Sequence, residues 1–453
     1  MSREKLLKSA AARASAYLDG LDNRAVAPSH IAVARLNELN LPLPEQPTTP
    51  EEVLDLLDTI GSPATTATAG GRFFGFVIGG SLPVSLAANW LAGAWDQNAG
   101  STQITPTGGK LEEIAQRWLL DVLCLPPESA IGFVTGGTMA NFTGLAAGRH
   151  AVLARAGWDV EAKGLFGAPP ITVVVSEEAH PTLHKSLGLL GLGRDRVVKV
   201  GCDNQGRMRA DLFPQISSPA IVCIQAGNVN TGSFDPAEEL IAKARLAGAW
   251  VHVDGAFGLW ARATEERRQL ASGLDLADSW ATDAHKWLNV PYDCGLAIVR
   301  DAEALRRAMA ISAAYLPTGE TRAPADYTPE LSRRARGMEV WAALRCLGRS
   351  GVREMIERCC RHARRFADGL QEAGYSILND VVLNQVLVSF GEAEFTRRVI
   401  AGIQSDGTCW CGGTVWQGQT AMRISVSSWA TTDDDVERSL KAMLHVARSC
   451  AEQ

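Results

Sequence analysis

Nowhere does the sequence offer the roughly 18 consecutive apolar residues that a membrane-spanning helix needs. Its opening segment, MSREKLLKSAAARASAYLDGLDNR, lacks the apolar centre and small-residue cleavage site of a signal peptide and reads as an amphipathic helix. No run of lysine and arginine stands out, and the formal net charge is −6. Nucleic acid and anionic membranes are therefore not expected partners. The ten cysteines are scattered. None forms a CxxC pair matched by a second pair or by histidines at zinc spacing, so no metal site is expected, and reduced thiols in a cytoplasmic protein are. The tripeptide CWC at 409–411 could take a metal, but alternating residues on a strand is the preferred reading. Internal repeats and low-complexity tracts are also missing.

What is present is an ordinary globular composition, 46% hydrophobic and 21% charged, in a chain of 453 residues. That length exceeds one core and implies two or three domains. Residues 1–65 read as helical segments broken by proline-rich turns (NLPLPEQPTTP), with little core of their own and a need for a partner to pack on. From 66 to 325, strands alternate with helices. IGFV (131–134), ITVVV (171–175), AIVCIQ (220–225), WVHVD (250–254) and GLAIV (295–299) are short apolar runs of the kind buried on both faces of a sheet. The helix in DPAEELIAKARLAG is expected to start with Asp235 as N-cap and Pro236 at its first position. This alternation predicts an α/β fold with a mostly parallel sheet. Residues 326–453 read as a smaller α+β domain, with a long helical stretch from about Ser332 to Leu370 and strands in NQVLVSF and AMRISVSSW.

Ligands of open α/β sheets bind at the C-terminal ends of the strands, and the chemically notable residues fall there. TGGTMAN (135–141) follows a strand and opens a helix. Its glycines allow close backbone approach, the helix start offers free N–H groups, and Thr138 adds a hydroxyl, which suits a phosphate. A plain tight turn is the alternative. The motif is neither GxGxxG nor GxxxxGK[ST], so a nucleotide is not indicated. Asp254 ends WVHVD and is expected to be buried. It could be an internal ion pair or cap, or it could partner a protonated heterocyclic nitrogen. His180 and His285, each taken alone, read as packed core histidines. Lys286, in ATDAHKWL, sits in small and apolar surroundings, where desolvation would leave a neutral amine available for a Schiff base. A phosphate cradle, a flat histidine ring, a strand-end carboxylate and, 286 − 254 = 32 residues later, a lysine together describe a pyridoxal 5'-phosphate (PLP) site.

The segments HVDGAFG (252–258) and DAHKWLNVPYDCG (283–295) are similar to signatures of the group II PLP-dependent amino-acid decarboxylases, which include the aromatic-L-amino-acid, tryptophan and glutamate decarboxylases. The resemblance extends from FFGFVIGGSLPVSLAANWL (73–91) to MRISVSSW (422–429). It implies the aspartate-aminotransferase type of fold, with a large PLP-binding domain, and a homodimer with shared active sites to which the N-terminal segment contributes by packing across. It also implies site roles. Lys286 binds the cofactor aldehyde, Asp254 pairs with the ring nitrogen, Ala256 packs against the ring, and His180 stacks on it facing the substrate. Gly137, Thr138 and Met139 match the phosphate loop, and His285 the histidine beside the phosphate. Asn228 stands where many members have threonine, and Asp283 where many have asparagine. Tyr315 matches a tyrosine that returns a proton to the substrate Cα, favouring amine over aldehyde as product. Phe74 and Phe76 match a segment lining the substrate pocket, and TQITPT (102–107), with Ile104, one that reaches the neighbouring subunit's pocket. The implied reaction is decarboxylation of an L-amino acid to its amine and CO2. An aromatic substrate is preferred, with acidic or diamino substrates, carbon–carbon lyase or aldehyde synthase chemistry as alternatives.

Overall fold

Seven strands, five of them fully buried, make the first sheet of this computed structural model, which describes residues 2–311 and 322–452. They are β1 (Ala130–Val134), β2 (Thr172–Ser176), β3 (Val198–Val200), β4 (Ala220–Gln225), β5 (Trp250–Asp254), β6 (Ser279–Asp283) and β7 (Gly295–Val299). Their order across the sheet is β1-β7-β6-β5-β4-β2-β3. Pairing is parallel from β6 through β5, β4 and β2 to β3, while β7 runs antiparallel to both β1 and β6. The expected mostly parallel α/β sheet is therefore present. The reversal of β7 has a simple cause: the connection 284–294 is shorter than the dozen or so residues that a parallel crossover takes. All five expected strands form. β3 and β6 went unseen in the sequence, β6 because SWATD carries polar residues where a buried strand normally reads as continuously apolar.

The chain divides into two compact units, one of Ser81–Arg364 with Asn379–Val386 and the other of Met1–Gly80, Arg365–Leu378 and Leu387–Gln453. The first contains the seven-stranded sheet. Its long helix Gly137–Arg155, here called the cradle helix, packs on β5 through small residues. A Cβ added at Gly144 would lie 2.9 Å from His252 Cε1, and one at Gly148 would lie 2.8 Å from Trp250 Cδ1. These two glycines, four apart and so on one face of the helix, let its backbone approach the sheet more closely than any side chain would permit. The expected N-cap Asp235 does not cap. Pro236 holds that position, and the Asp235 carboxylate instead accepts the backbone N–H groups of Met208 and Gln225 at 2.7 Å each. Burial raises its pKa to about 6.

The second unit carries most of a four-stranded sheet ordered β10-β11-β9-β8, with β8 (Ser376–Ile377), β9 (Gln385–Ser389), β10 (Gly412–Trp416) and β11 (Gln419–Ser425). Helices Ala393–Asp406 and Asp433–Ala451 accompany it, the latter opened by a Thr432–Asp435 capping box. The long helical stretch expected from Ser332 is observed as Gly337–Glu372, broken at Gly348, whose φ of 59° is open to glycine at little cost. Cys409 and Cys411 are buried in this second unit, and among the described residues no group of three or more His, Cys, Asp or Glu side chains could hold a metal ion. No described helix is long and apolar enough to cross a membrane.

Gly144→Ala tests the close approach. In an exposed helix this change stabilises by about 1 kcal/mol. Here the clash with the His252 ring is expected to win, with a net loss of about 1–2 kcal/mol measured by denaturant unfolding.

Candidate active site

Three strand ends converge on the site within the first unit. β1 leads through Gly136 into the cradle helix, β5 ends at Asp254, and β6 ends at Asp283, followed by a single helical turn, Ala284–Trp287, that carries His285 and Lys286. β5 and β6 are neighbours, with Asp254 opposite Ala281. The glycines of the TGGT motif are needed for proximity. A Cβ at Gly137 would stand 2.7 Å from Asp283 Oδ2, and one at Gly136 would stand 2.9 Å from His285 Cε1.

The Asp283 carboxylate, 1% exposed, gathers three donors. Its Oδ1 accepts the N–H of Gly137 at the start of the cradle helix and lies 3.3 Å from His285 Nε2, while Oδ2 lies 2.8 Å from Lys286 Nζ. Lys286 therefore does not sit in the apolar surroundings expected from its neighbours in sequence; its amine faces a carboxylate. The helix N-terminus does attract negative charge, as the motif implied, and here the charge is this side chain. His285 Nδ1 accepts the backbone N–H of Cys294 at 3.1 Å, so the neutral ring carries its proton on Nε2, aimed at Asp283. Burial lowers the His285 pKa and keeps the ring neutral. The ring of Tyr292 packs on it at 4.2 Å between centroids, and burial pushes that phenol up to about 12.

Asp254 is held differently. It is 5% exposed. Its Oδ2 accepts from the Asn141 side-chain amide at 3.2 Å and its Oδ1 from the Ala256 N–H at 3.3 Å. Both donors are neutral, and no salt bridge to Asp254 is found among the described residues. A buried carboxylate with only neutral partners is costly unless a cation joins it.

The other expected residues are placed as follows. His180 caps the helix Pro181–Leu189, its Nδ1 accepting the Thr182 N–H at 3.3 Å and lying 2.7 Å from the Thr182 hydroxyl. The Thr138 carbonyl accepts the Ser186 hydroxyl at 2.9 Å, and Met139 packs against Val134, Ala140, Ala281 and Ala297. The Ala256 carbonyl accepts the Asp283 N–H. Asn228 is buried, and its side chain serves its own loop, accepting from Asn230 and Thr231 and donating to Gln225. Ile104 is exposed in the first unit. Phe74 and Phe76 belong to the second unit. Phe74 is buried edge-on against Phe366 at 5.0 Å, and Phe76 is exposed and stacked on Trp410 at 5.9 Å. Tyr315 lies outside the described residues. Two participants were missed, Asn141 and His252. The signal was available: Asn141 falls one helical turn beyond Gly137, and His252 shares a sheet face with Asp254 two residues on.

Residues 34–391 match the pyridoxal-dependent decarboxylase conserved domain. The chain belongs to this family. It is thereby a PLP-dependent carboxy-lyase by membership, with the amino-acid substrate left open by its relatives. The aromatic-L-amino-acid decarboxylase of Bacillus atrophaeus is 29% identical over 341 residues, covering 71% of this chain and 67% of that protein. The L-2,4-diaminobutyrate decarboxylase of Rhizobium meliloti is 28% identical over 385 residues, covering 80% and 75%. The aspartate 1-decarboxylase of Aliivibrio fischeri is 33% identical over 282 residues, covering 58% and 50%. The chain thus spans between half and three quarters of the length of these relatives. A crystal structure of Oryza sativa TDC with PLP and tryptamine shares the fold, with a TM-score of 0.90, 21% identity and coverage of 98% and 97%.

The donor set of the family member described here fits PLP. The Gly137 N–H and the His285 Nε2–H converge where an anion already sits, Lys286 offers the amine for the aldehyde, and Asp254 is a buried carboxylate short of a cation, as a pyridinium partner should be.

Burial without a charged partner lowers the His252 pKa from 6.5 to about 3. Between those values the unfolded chain takes up a proton that the folded chain refuses, so stability falls as pH drops from 6.5 towards 3. Replacing His252 by Gln removes that contribution. The pH dependence of the unfolding midpoint is expected to flatten in this window relative to the parent protein.

Proposed function

We propose that the protein removes the α-carboxylate of an L-amino acid as CO2 and releases the amine. The observation that carries this reading is that adjacent strands lead to complementary groups: β5 ends at a buried Asp254 carboxylate with only neutral partners, and β6 runs into the turn that carries the Lys286 amine. When bound, PLP supplies the aldehyde that captures amines and the ring that accepts the electron pair left behind as CO2 departs. Lys286 would hold that aldehyde through Nζ between turnovers and yield it to the substrate amine. To do so its pairing with Asp283 must open. Asp254 would keep the proton on the ring nitrogen, and the Gly137 N–H, Thr138 and His285 would hold the phosphate. His180 would stand against the ring and orient the substrate, with its neutral-ring proton on Nε2 because Nδ1 accepts from Thr182. Tyr315 would return the proton to Cα.

An aromatic substrate is the preferred reading, supported by the relative from Bacillus atrophaeus and by the exposed Phe76 stacked on Trp410. An acidic substrate is supported by the 33% identity to an aspartate 1-decarboxylase. The protein would act as a cytoplasmic homodimer in which residues 1–65 pack across the partner, with residues 66–325 as the PLP-binding domain and 326–453 as the small domain. In support, Ile31, Leu41 and Leu43 are 76%, 71% and 91% exposed in the single chain, more apolar surface than a short segment normally leaves to water.

Three measurements test this. A panel of twenty amino acids assayed for CO2 and amine should give one preferred class; no release from any of them refutes the reading. Lys286→Ala should abolish turnover and leave no cofactor covalently fixed by borohydride, and retained turnover would remove Lys286 from its role. Tyr315→Phe should lower amine and raise aldehyde, and an unchanged product ratio counts against Tyr315.

A further inference from the structure

Behind Asp254, a row of buried polar side chains continues from Asn141. Asn141 Nδ2 is 3.2 Å from Asp254 Oδ2, and Asn141 Oδ1 is 2.8 Å from His252 Nε2. His252 Nδ1 is 2.8 Å from Ser279 Oγ, which is 2.8 Å from Trp250 Nε1. His252 and Ser279 are wholly buried, and Asn141 is 1% exposed.

The protons in this row can be placed one by one. An ionised carboxylate only accepts, so Asn141 must turn its amide N–H to Asp254 and its carbonyl to His252. His252 must then carry its proton on Nε2, leaving Nδ1 bare to accept the Ser279 hydroxyl. Ser279 in turn accepts from Trp250, whose indole can only donate. The Asp254 end sets this assignment, and the Trp250 end is compatible with it. The row is neutral throughout, since burial keeps the imidazole uncharged. It fixes the position of the carboxylate without cancelling its charge. A cationic partner in place of Asn141 would fix it equally well but would neutralise it.

We propose that Asn141 and His252 are positioning residues that hold the Asp254 carboxylate, with no charged partner of its own among the described residues, for a protonated ring nitrogen of the cofactor. The inference rests on the reading that Asp254 meets that nitrogen. It adds that the strength of the encounter is set through the cradle helix, whose N-terminus lies at the Gly137 N–H while Asn141, one turn on, reaches Asp254. Phosphate and ring nitrogen would then be recognised by one rigid element.

The test uses the full-length chain stripped of cofactor and titrated, by quenching of tryptophan fluorescence, with PLP and with its 1-deaza analogue, in which carbon replaces the ring nitrogen. The parent protein should prefer PLP. Asn141→Leu, close to isosteric, should weaken PLP binding by about tenfold or more, the scale of one hydrogen bond to a charged group, and leave the analogue within about twofold. His252→Leu should act in the same direction, and His252→Gln, which keeps a donor facing Asn141, should restore the preference. Should Asn141→Leu fail to give a cooperative thermal transition, the His252 pair carries the same test. Equal losses for both ligands in folded variants, or an unchanged preference, would overturn the positioning role. A parent protein that does not distinguish the two ligands would overturn the pairing of Asp254 with the ring nitrogen, and this inference with it.

Discussion

The close approach of one helix to one strand is the constraint on which the site depends. The cradle helix reaches β5 because Gly144 and Gly148 present no side chain to His252 and Trp250. That approach brings Asn141 within hydrogen-bonding distance of both His252 and Asp254. It also fixes where the first N–H groups of the helix point. Glycines in a helix normally cost stability; here they convert a packing contact into a polar one, in surroundings where buried donors and acceptors need partners.

Two buried carboxylates, Asp254 and Asp283, show how one fold gives the same group different tasks. Asp283 has a helix N-terminus, an imidazole N–H and an ammonium group within reach, so its charge is compensated inside the protein. Asp254 has an amide and a backbone N–H, so its charge remains uncompensated. The low dielectric of the interior magnifies both situations. It makes the first a stable resting arrangement, and the second a standing demand for a cation from outside the chain. The relevant contrast lies in the partners, since both side chains end neighbouring strands.

The family relationship and this local chemistry support one another at different levels. Membership rests on the match over residues 34–391. The roles of individual side chains rest on distances. The relatives act on aromatic, diamino and acidic amino acids by name.

Local sequence was enough for what depends on local pattern. Five strands announced themselves as runs of β-branched and apolar residues, because burial on both faces leaves little room for anything else. Gly137, Asp254 and Lys286 stood out because their residue types, near strand ends, suit a particular chemistry, and the fold places them after β1, at the end of β5 and after β6. Tertiary structure decided the rest. β6 was hidden because its polar residues are satisfied by partners far along the chain, such as the Ser279 hydroxyl beside Trp250 and His252. Asp235 looked like a helix cap but bonds Met208, 27 residues away, a contact that no local rule contains. The surroundings of Lys286 read as apolar along the sequence and proved acidic in space, since a one-turn helix folds its amine back onto Asp283. The side-chain partner of Asp254, Asn141, comes from a helix more than a hundred residues earlier, brought within bonding distance by glycines whose purpose shows only in the packing.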